Sequence, residues 1–178
     1  KSGRLTALKH EILSHTSTTQ EFQEPCGSMS KMMYKVVNAK VTERLIPMNL
    51  QQPFSMRAPG EATGSFVLES AMDELAYKLK MDPIEFRIKN DTQDDLHEEK
   101  PFSSRLLVEC LNIGAKKFGW DKRKKKPRSN KKGNWLIGYG VSAAARAAPY
   151  KETHAKLKQE LKDKTVTDTL QMDATDIG

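Results

Sequence analysis

The sequence predicts an α+β fold in which amphipathic helices pack on a mixed sheet, and three observations carry that expectation. Leu68, Ala71, Met72, Leu75, Ala76 and Leu79 recur at i, i+3, i+4, i+7, i+8 and i+11, one stripe of a helix. Residues 4–13 and 165–172 instead alternate apolar and polar positions, the pattern of half-buried strands. The two kinds of segment do not rotate strictly as strand–helix–strand units, which argues against a doubly wound parallel sheet.

Taken in order, residues 4–13 open as a strand with Leu8, His10 and Ile12 on one side. The Thr- and Ser-rich stretch 14–21 reads as a loop. Residues 31–37 and 41–50 mix β-branched and apolar residues with polar ones and read as two more strands, interrupted near Asn38. Gln51-Gln52-Pro53 breaks the second. The helix of residues 61–80 ends before Asp82-Pro83, a natural N-cap and first helical residue for a short helix reaching about Lys89. Residues 91–101 form a polar linker. Ser103 or Ser104 is expected to cap a third helix with Leu107, Cys110, Leu111, Gly114 and Phe118 on one face and Gly119 at its end. Beyond a basic loop, residues 133–141 read as a strand with glycines at close-packed points. Residues 155–164 fit either period, and residues 165–172 place Val166, Leu170 and Met172 on one strand face.

Composition narrows the function classes. With 37% hydrophobic and 30% charged residues, a modest core is affordable and wholesale disorder is excluded. No apolar run approaches the roughly 20 residues needed to cross a bilayer. Two cysteines, Cys26 and Cys110, make neither a disulfide framework nor a four-cysteine zinc site, and they leave cytoplasm and periplasm both open. The net charge of +7 is local: residues 121–132 carry eight positive charges and one negative, so the remaining residues sum to zero. That run reads either as a solvated loop or, at residues 122–132, as a basic binding module for nucleic acid or an acidic partner. Because the chain opens Lys1-Ser2-Gly3 with no initiator Met, it is expected to be processed or part of something longer.

Two places have the chemistry of a site. In Phe54-Ser55-Met56-Arg57-Ala58-Pro59-Gly60-Glu61, Pro59 fixes φ and Gly60 opens the backbone just before the long helix. Arg57 and Ala58 then present amides, and Arg57 a forked cation, from a stiff corner near a helix N-terminus. That suits an anionic or oxo ligand, and an ordinary strand-to-helix turn is the alternative. Glu61 in the first turn reads as a partner of the helix dipole more than as a base. At the other end, Asp173-Ala174-Thr175-Asp176-Ile177-Gly178 begins a metal- or phosphate-type loop without finishing one. His10, His15, His97 and His154 have no metal-ligand spacing, and no nucleophile elbow, phosphate loop or dinucleotide fingerprint occurs.

The run Met56-Arg57-Ala58-Pro59-Gly60-Glu61-Ala62-Thr63-Gly64-Ser65-Phe66, with Glu69-Ser70-Ala71-Met72-Asp73-Glu74-Leu75-Ala76, Met81-Asp82-Pro83-Ile84-Glu85-Phe86-Arg87 and Lys89-Asn90, resembles the molybdenum-cofactor-binding large subunit of the xanthine dehydrogenase and aldehyde oxidase family. The bacterial aldehyde oxidoreductase branch is the most similar. Gly3-Arg4-Leu5-Thr6-Ala7, His10-Glu11 and Glu24-Pro25-Cys26-Gly27 match it upstream. Ser103-Ser104-Arg105-Leu106, Phe118-Gly119-Trp120, Gly138-Tyr139-Gly140 and Asp173-Ala174-Thr175-Asp176-Ile177-Gly178 match it downstream, all in order.

The resemblance implies molybdopterin-binding domains: residues 1–55 would end the first, mostly as strands, and residues 56–178 would start the second, carrying the basic loop 121–133. It implies a molybdenum–molybdopterin cofactor, in the cytosine dinucleotide form by bacterial habit, that oxidises an aldehyde or related electron-poor carbon to a carboxylic acid with a water-derived oxygen. Electrons would leave through an iron–sulfur subunit and an FAD subunit of the same complex. Neither a nucleic-acid partner nor a membrane span is implied. Carried over by position, Arg57 faces the metal's oxo ligands, Arg57 and Ala58 help hold the cofactor, Ala58 and Pro59 line the substrate side, and Ile177 and Gly178 begin the loop around the pterin. None of these residues is a protein ligand of the metal. Purine-oxidising members carry Phe-Arg-Gly-Phe-Gly where this chain has Met56-Arg57-Ala58-Pro59-Gly60, so Pro59 stands in place of the aromatic and an aldehyde is the expected substrate. The family's Gly-Gly-Phe-Gly segment and its catalytic Glu fall outside residues 1–178. The chain is therefore expected to be an internal fragment, inactive by itself.

Overall fold

A computed structural model describes residues 2–95, 97–146, 155–162 and 165–172. It divides into two units, Lys1–Ala145 and Arg146–Gly178. In the first, β1 (Ala7–Ser17) pairs in parallel with β2 (Asn38–Met48), from Ala7 opposite Asn38 to Ser17 opposite Met48. Parallel neighbours need a crossover, and residues 18–37, carrying α1 (Ser28–Met32), provide it. Then come α2 (Glu61–Leu79), α3 (Pro83–Lys89), the short strands β3 (Asp94–Asp95) and β4 (Lys100–Pro101), α4 (Leu107–Phe118), a 3-10 turn at Trp120–Lys122, and β5 (Lys131–Lys132) paired with β6 (Trp135–Leu136). In the second unit, β7 (Ala155–Lys162) and β8 (Thr165–Met172) form an antiparallel ladder. The class is α+β. Parallel and antiparallel pairing both occur, in separate two-stranded sheets.

Several elements depart from the sequence reading for identifiable reasons. Strand β1 runs through residues 14–17, expected to be loop, because the inward alternation continues to a fully buried Thr16. Its hydroxyl donates to Gln20 O at 3.1 Å and accepts from Phe22 N at 2.9 Å, so the turn closes later. Residues 31–37 are not a strand: they hold the end of α1 and an irregular segment that buries Met33, Tyr34 and Val36. A short apolar run does not declare its period. Ser103 and Ser104 do not cap α4, whose N-cap is Leu106 without a side-chain bond. The inner face of α4 follows Leu107, Leu111 and Ala115, while Cys110, Gly114 and Phe118 are exposed. The strand expected at residues 133–141 pairs only at Trp135–Leu136.

Helix α2 ends within one residue of its expected boundary and buries Gly64, Leu68, Met72 and Ala76, an i+4 row. Ala71 and Leu75 of the expected stripe are exposed. The core around that row takes Met29, Met33, Tyr34, Val36, Phe86 and Ala143. At about 1.5–3 kcal/mol for each large apolar side chain buried, this cluster is the main stabilising mass of the unit.

A polar network sits within it. Arg87 is fully buried; its Nε donates to Glu69 Oε2 at 2.8 Å, Nη1 to Asp73 Oδ1 at 2.8 Å, and Nη2 to Glu69 O at 3.2 Å. Glu69 also accepts from Tyr34 Oη at 2.5 Å and Ala143 N at 2.7 Å. One carboxylate thus joins α2, α3, the segment after α1, and residue 143. Burial opposes the Arg87 charge, but Glu69 outweighs it and holds the guanidinium more firmly protonated than usual. Burial, then the Glu69 charge, pushes the Tyr34 hydroxyl well above its ordinary value. A smaller cluster gathers Ile84, Leu111 and Trp120 over Asp82. Asp82 caps α3 by accepting from Ile84 N at 2.9 Å, and it also accepts from Trp120 Nε1 at 3.1 Å and Arg123 Nη2 at 2.6 Å. Asn90 ties the chain start to α3: its side chain donates to Gly3 O at 2.9 Å and accepts from Leu5 N at 2.8 Å.

Two stability outcomes follow. Arg87→Ala leaves Glu69 buried and unpaired, and is expected to cost about 3–5 kcal/mol in chemical denaturation; a loss under about 1 kcal/mol would show the pair to be dispensable. At Asp82, burial raises the carboxyl pKa, but the bonds from Arg123, Ile84 N and Trp120 together hold it below its ordinary value. The unfolded chain therefore takes up the proton first, so this stabilisation is complete above about pH 4 and is lost as pH falls through the lower folded value. In a Trp135→Phe background, acid unfolding followed by Trp120 fluorescence is expected to be steeper with Asp82 than with Asp82→Asn. Parallel curves would contradict the linkage.

Candidate functional site at the first turn of α2

Residues 57–60 form a bend and turn that enters α2. Ala58 has φ 64° and Gly60 φ 67°. The left-handed region is ordinary for glycine and uncommon for alanine, where it costs of order 1 kcal/mol. The elbow is closed by Ala62 N donating to Ala58 O at 3.3 Å and Gly64 N to Gly60 O at 2.8 Å. Gly60 is the N-cap and supplies no side-chain bond, so the helix start is left to its own amides. Arg57 is exposed and makes no hydrogen bond or ion pair among the described residues. Ala58 and Pro59 lie half-buried behind it.

What holds the elbow is a seam of glycines. The backbone of Pro25-Cys26 lies directly against the first turn of α2: a Cβ on Gly60 would fall 2.5 Å from the Pro25 carbonyl carbon, and one on Gly64 would overlap the Cys26 carbonyl. Only residues without a side chain allow that approach. The opposing strip is itself pinned. Ser28 N donates to Pro25 O at 3.2 Å, Gly27 N donates to Glu43 Oε1 at 2.9 Å, and Gln23 Nε2 donates to Glu43 Oε2 at 2.8 Å. On the approach side, Phe22 and Phe54 stack with ring centroids 5.6 Å apart. The elbow is therefore fixed from below by β2 through Glu43 and from the side by a ring pair, while Arg57 stays outward.

Of the expected site residues, the structure brings Arg57, Ala58 and Pro59 together on one rigid corner. Ile177 and Gly178 lie outside the described residues, as do Asp173 and Asp176. Among the described residues no cluster of three or more His, Cys, Asp or Glu side chains is arranged for a metal ion. The corner has two features an anionic, oxygen-bearing group requires: an exposed guanidinium without a partner among the described residues, and a helix start without a side-chain cap. Sequence reasoning missed the left-handed Ala58 and the role of Gly64. The signal available for the second was the pairing of Glu24-Pro25-Cys26-Gly27 with Pro59-Gly60 as two glycine-bearing turns.

Comparison with known proteins shows the family. Residues 1–91 match the molybdopterin cofactor-binding domain. The whole chain is 41% identical, over 179 aligned residues, to the aldehyde oxidoreductase molybdenum-binding subunit PaoC of Escherichia coli (strain K12), covering 24% of that protein. It is 27% identical over 151 residues to the xanthine dehydrogenase molybdenum-binding subunit of Escherichia coli O157:H7, covering 80% of this chain and 20% of that one. The chain thus spans about a quarter or less of the relatives it matches. Among solved structures, the aldehyde oxidoreductases of Desulfovibrio gigas and Desulfovibrio desulfuricans ATCC 27774 align with TM-scores of 0.58 and 0.57 at 24% identity. They cover 71% and 67% of this chain and 15% and 14% of theirs, a likeness of fold.

The seam is testable with an internal control. Gly64→Ala forces a methyl onto the Cys26 carbonyl and is expected to destabilise by about 1–3 kcal/mol. Gly114→Ala, whose added methyl meets nothing within 4 Å, is expected to stabilise α4 by up to about 1 kcal/mol. Equal effects of the two in thermal unfolding would rule out the close approach.

Proposed function

We propose that this chain, which belongs to the molybdopterin cofactor-binding family, is the segment of a molybdenum hydroxylase subunit whose elbow at residues 57–60 forms one wall of the reaction site. There an aldehyde, or a related electron-poor carbon, is oxidised to a carboxylic acid with oxygen from water. The observation that carries the reading is Arg57, an exposed guanidinium without a protein partner among the described residues, set on a corner that pays for a left-handed Ala58. When bound, the molybdenum–molybdopterin group supplies the two-electron chemistry, in the cytosine dinucleotide form, and iron–sulfur and FAD subunits carry the electrons away.

The residues of this chain bind and orient. Arg57 and the amide of Ala58 would hold oxygen atoms of the cofactor, and by the family resemblance Ile177 and Gly178 would begin a loop around the pterin. A cation facing the reacting carbonyl would stabilise the negative charge that develops on its oxygen, and the held backbone of the elbow sets where that side chain starts. Ala58 and Pro59 wall the substrate side. Pro59 offers no flat aromatic face on which a purine can stack, which favours aldehydes over xanthine. Across the described residues no helix is long and apolar enough to cross a membrane. The 178 residues supply one wall of a larger site and do not turn over substrate by themselves.

In the intact subunit assembled with its partners, Arg57→Ala is expected to lower kcat/KM for aldehydes by about 10²–10³ while the subunit still folds. Arg57→Lys, which keeps the charge and loses the fork, is expected to fall between. Aldehyde turnover like that of the unsubstituted enzyme would remove Arg57 from the site.

A further inference from the structure

We propose that the basic hairpin at residues 121–137, together with the aromatic stripe behind it, is a docking face for an acidic surface of a partner subunit. The net charge of the chain resides here, and among the described residues the fold neutralises only one of its cations. Of the cations in this run only Arg123 is paired, with Asp82; Lys124, Lys125, Lys126, Arg128, Lys131 and Lys132 are exposed and have no carboxylate partner among the described residues.

These cations are not on a loose tail. The Asn130 side chain clamps the loop from both ends, accepting from Lys124 N at 2.8 Å and donating to Lys124 O at 2.9 Å. Ser129 bonds Lys126 O through both its amide and its hydroxyl. Ile137 N donates to Asn130 O at 2.9 Å, and β5 pairs with β6 so that Lys132 faces Trp135 and Lys131 faces Leu136. At the base, the Arg123 guanidinium lies 3.6 Å from the Trp120 ring centroid. Arg128 takes φ 61°, a conformation uncommon for a residue other than glycine. Holding like charges together in an ordered loop is costly unless an anion meets them.

The neighbouring apolar residues select the class of anion. Trp135 is 77% exposed and Leu136 59%. Trp135 and Leu136 are successive strand residues and face opposite sides; Ile137 and Tyr139 follow Trp135 at alternate positions, and the Tyr139 ring packs edge-on against the exposed Phe118 of α4 at 6.0 Å. Aliphatic and aromatic side chains beside a charged border are the anatomy of a protein interface. A phosphate backbone has no use for Leu136 or Ile137. The hairpin tip, Gly133-Asn134, carries no apolar side chain that could insert into a membrane.

The identity of the partner rests on the proposed function, and the test separates the two. The intact subunit is co-expressed with the iron–sulfur and FAD subunits, and two quantities are read: its molybdenum content, and the affinity of each partner at several salt concentrations. Lys124→Glu, Lys125→Glu and Lys126→Glu together are expected to weaken binding of one partner by at least about tenfold and to flatten its salt dependence. Trp135→Ala is expected to weaken binding without changing the salt dependence. Both are surface changes, and unchanged circular dichroism checks folding. Normal molybdenum content with unaltered binding in both variants overturns the docking face alone. Absence of molybdenum from the intact subunit overturns the functional reading. Retention on duplex DNA or phosphatidylserine vesicles that the triple substitution abolishes, with assembly unaffected, also overturns the docking face.

Discussion

The close approach of Pro25-Cys26 to the first turn of α2 is the constraint on which the candidate site depends. A polypeptide backbone comes that near a helix only where side chains are missing, and Gly60 and Gly64 supply the two gaps. Once the strip is seated, the residues just before the helix have little freedom: Gly60 is held from below, Pro59 has a fixed φ, and Ala58 takes up the remaining turn at φ 64°. Arg57 is directed outward as a result. Small substitutions in the seam would therefore act on the position of a charge, and not only on packing.

The seam alone does not orient α2, and the buried Glu69–Arg87 pair does the rest. Two charges removed from water are weak evidence of net stability. Their value here is geometric, since Glu69 accepts from three separate parts of the chain and Arg87 reaches two carboxylates. The run Asp82-Pro83-Ile84-Glu85-Phe86-Arg87 through Asn90, which carries much of the family likeness, owes that likeness to architecture: Asp82 caps α3 and anchors Arg123, Phe86 fills the core, Arg87 locks α3 to α2, and Asn90 stitches in the chain start.

Local signals in the sequence were legible. The extent of α2, the Asp82-Pro83 start of α3, and the Gly119 stop of α4 each depend on a few adjacent residues, and each is where the pattern put it. Residues 31–37 were not, because a short apolar run becomes strand or turn according to what it packs on, and Met33 and Tyr34 pack on α2. Glu69 and Arg87 look like surface charges until their partners are known. The corner at Arg57 was visible through Pro59 and Gly60, yet the left-handed Ala58 was not, since alanine gives no hint of it. The glycine seam needed a tertiary neighbour distant in sequence. The expected start of a cofactor loop at Ile177 and Gly178 lies outside the described residues.

The proposed function requires an oxygen-bearing metal group against the outward face of the elbow. Anomalous scattering at the molybdenum edge, from crystals of the intact subunit, reads that location without reference to activity. The expected result is a single peak beside residues 57–60, on the side carrying the Arg57 guanidinium. A peak elsewhere, with the elbow covered by protein and Arg57 paired to a carboxylate, would contradict it.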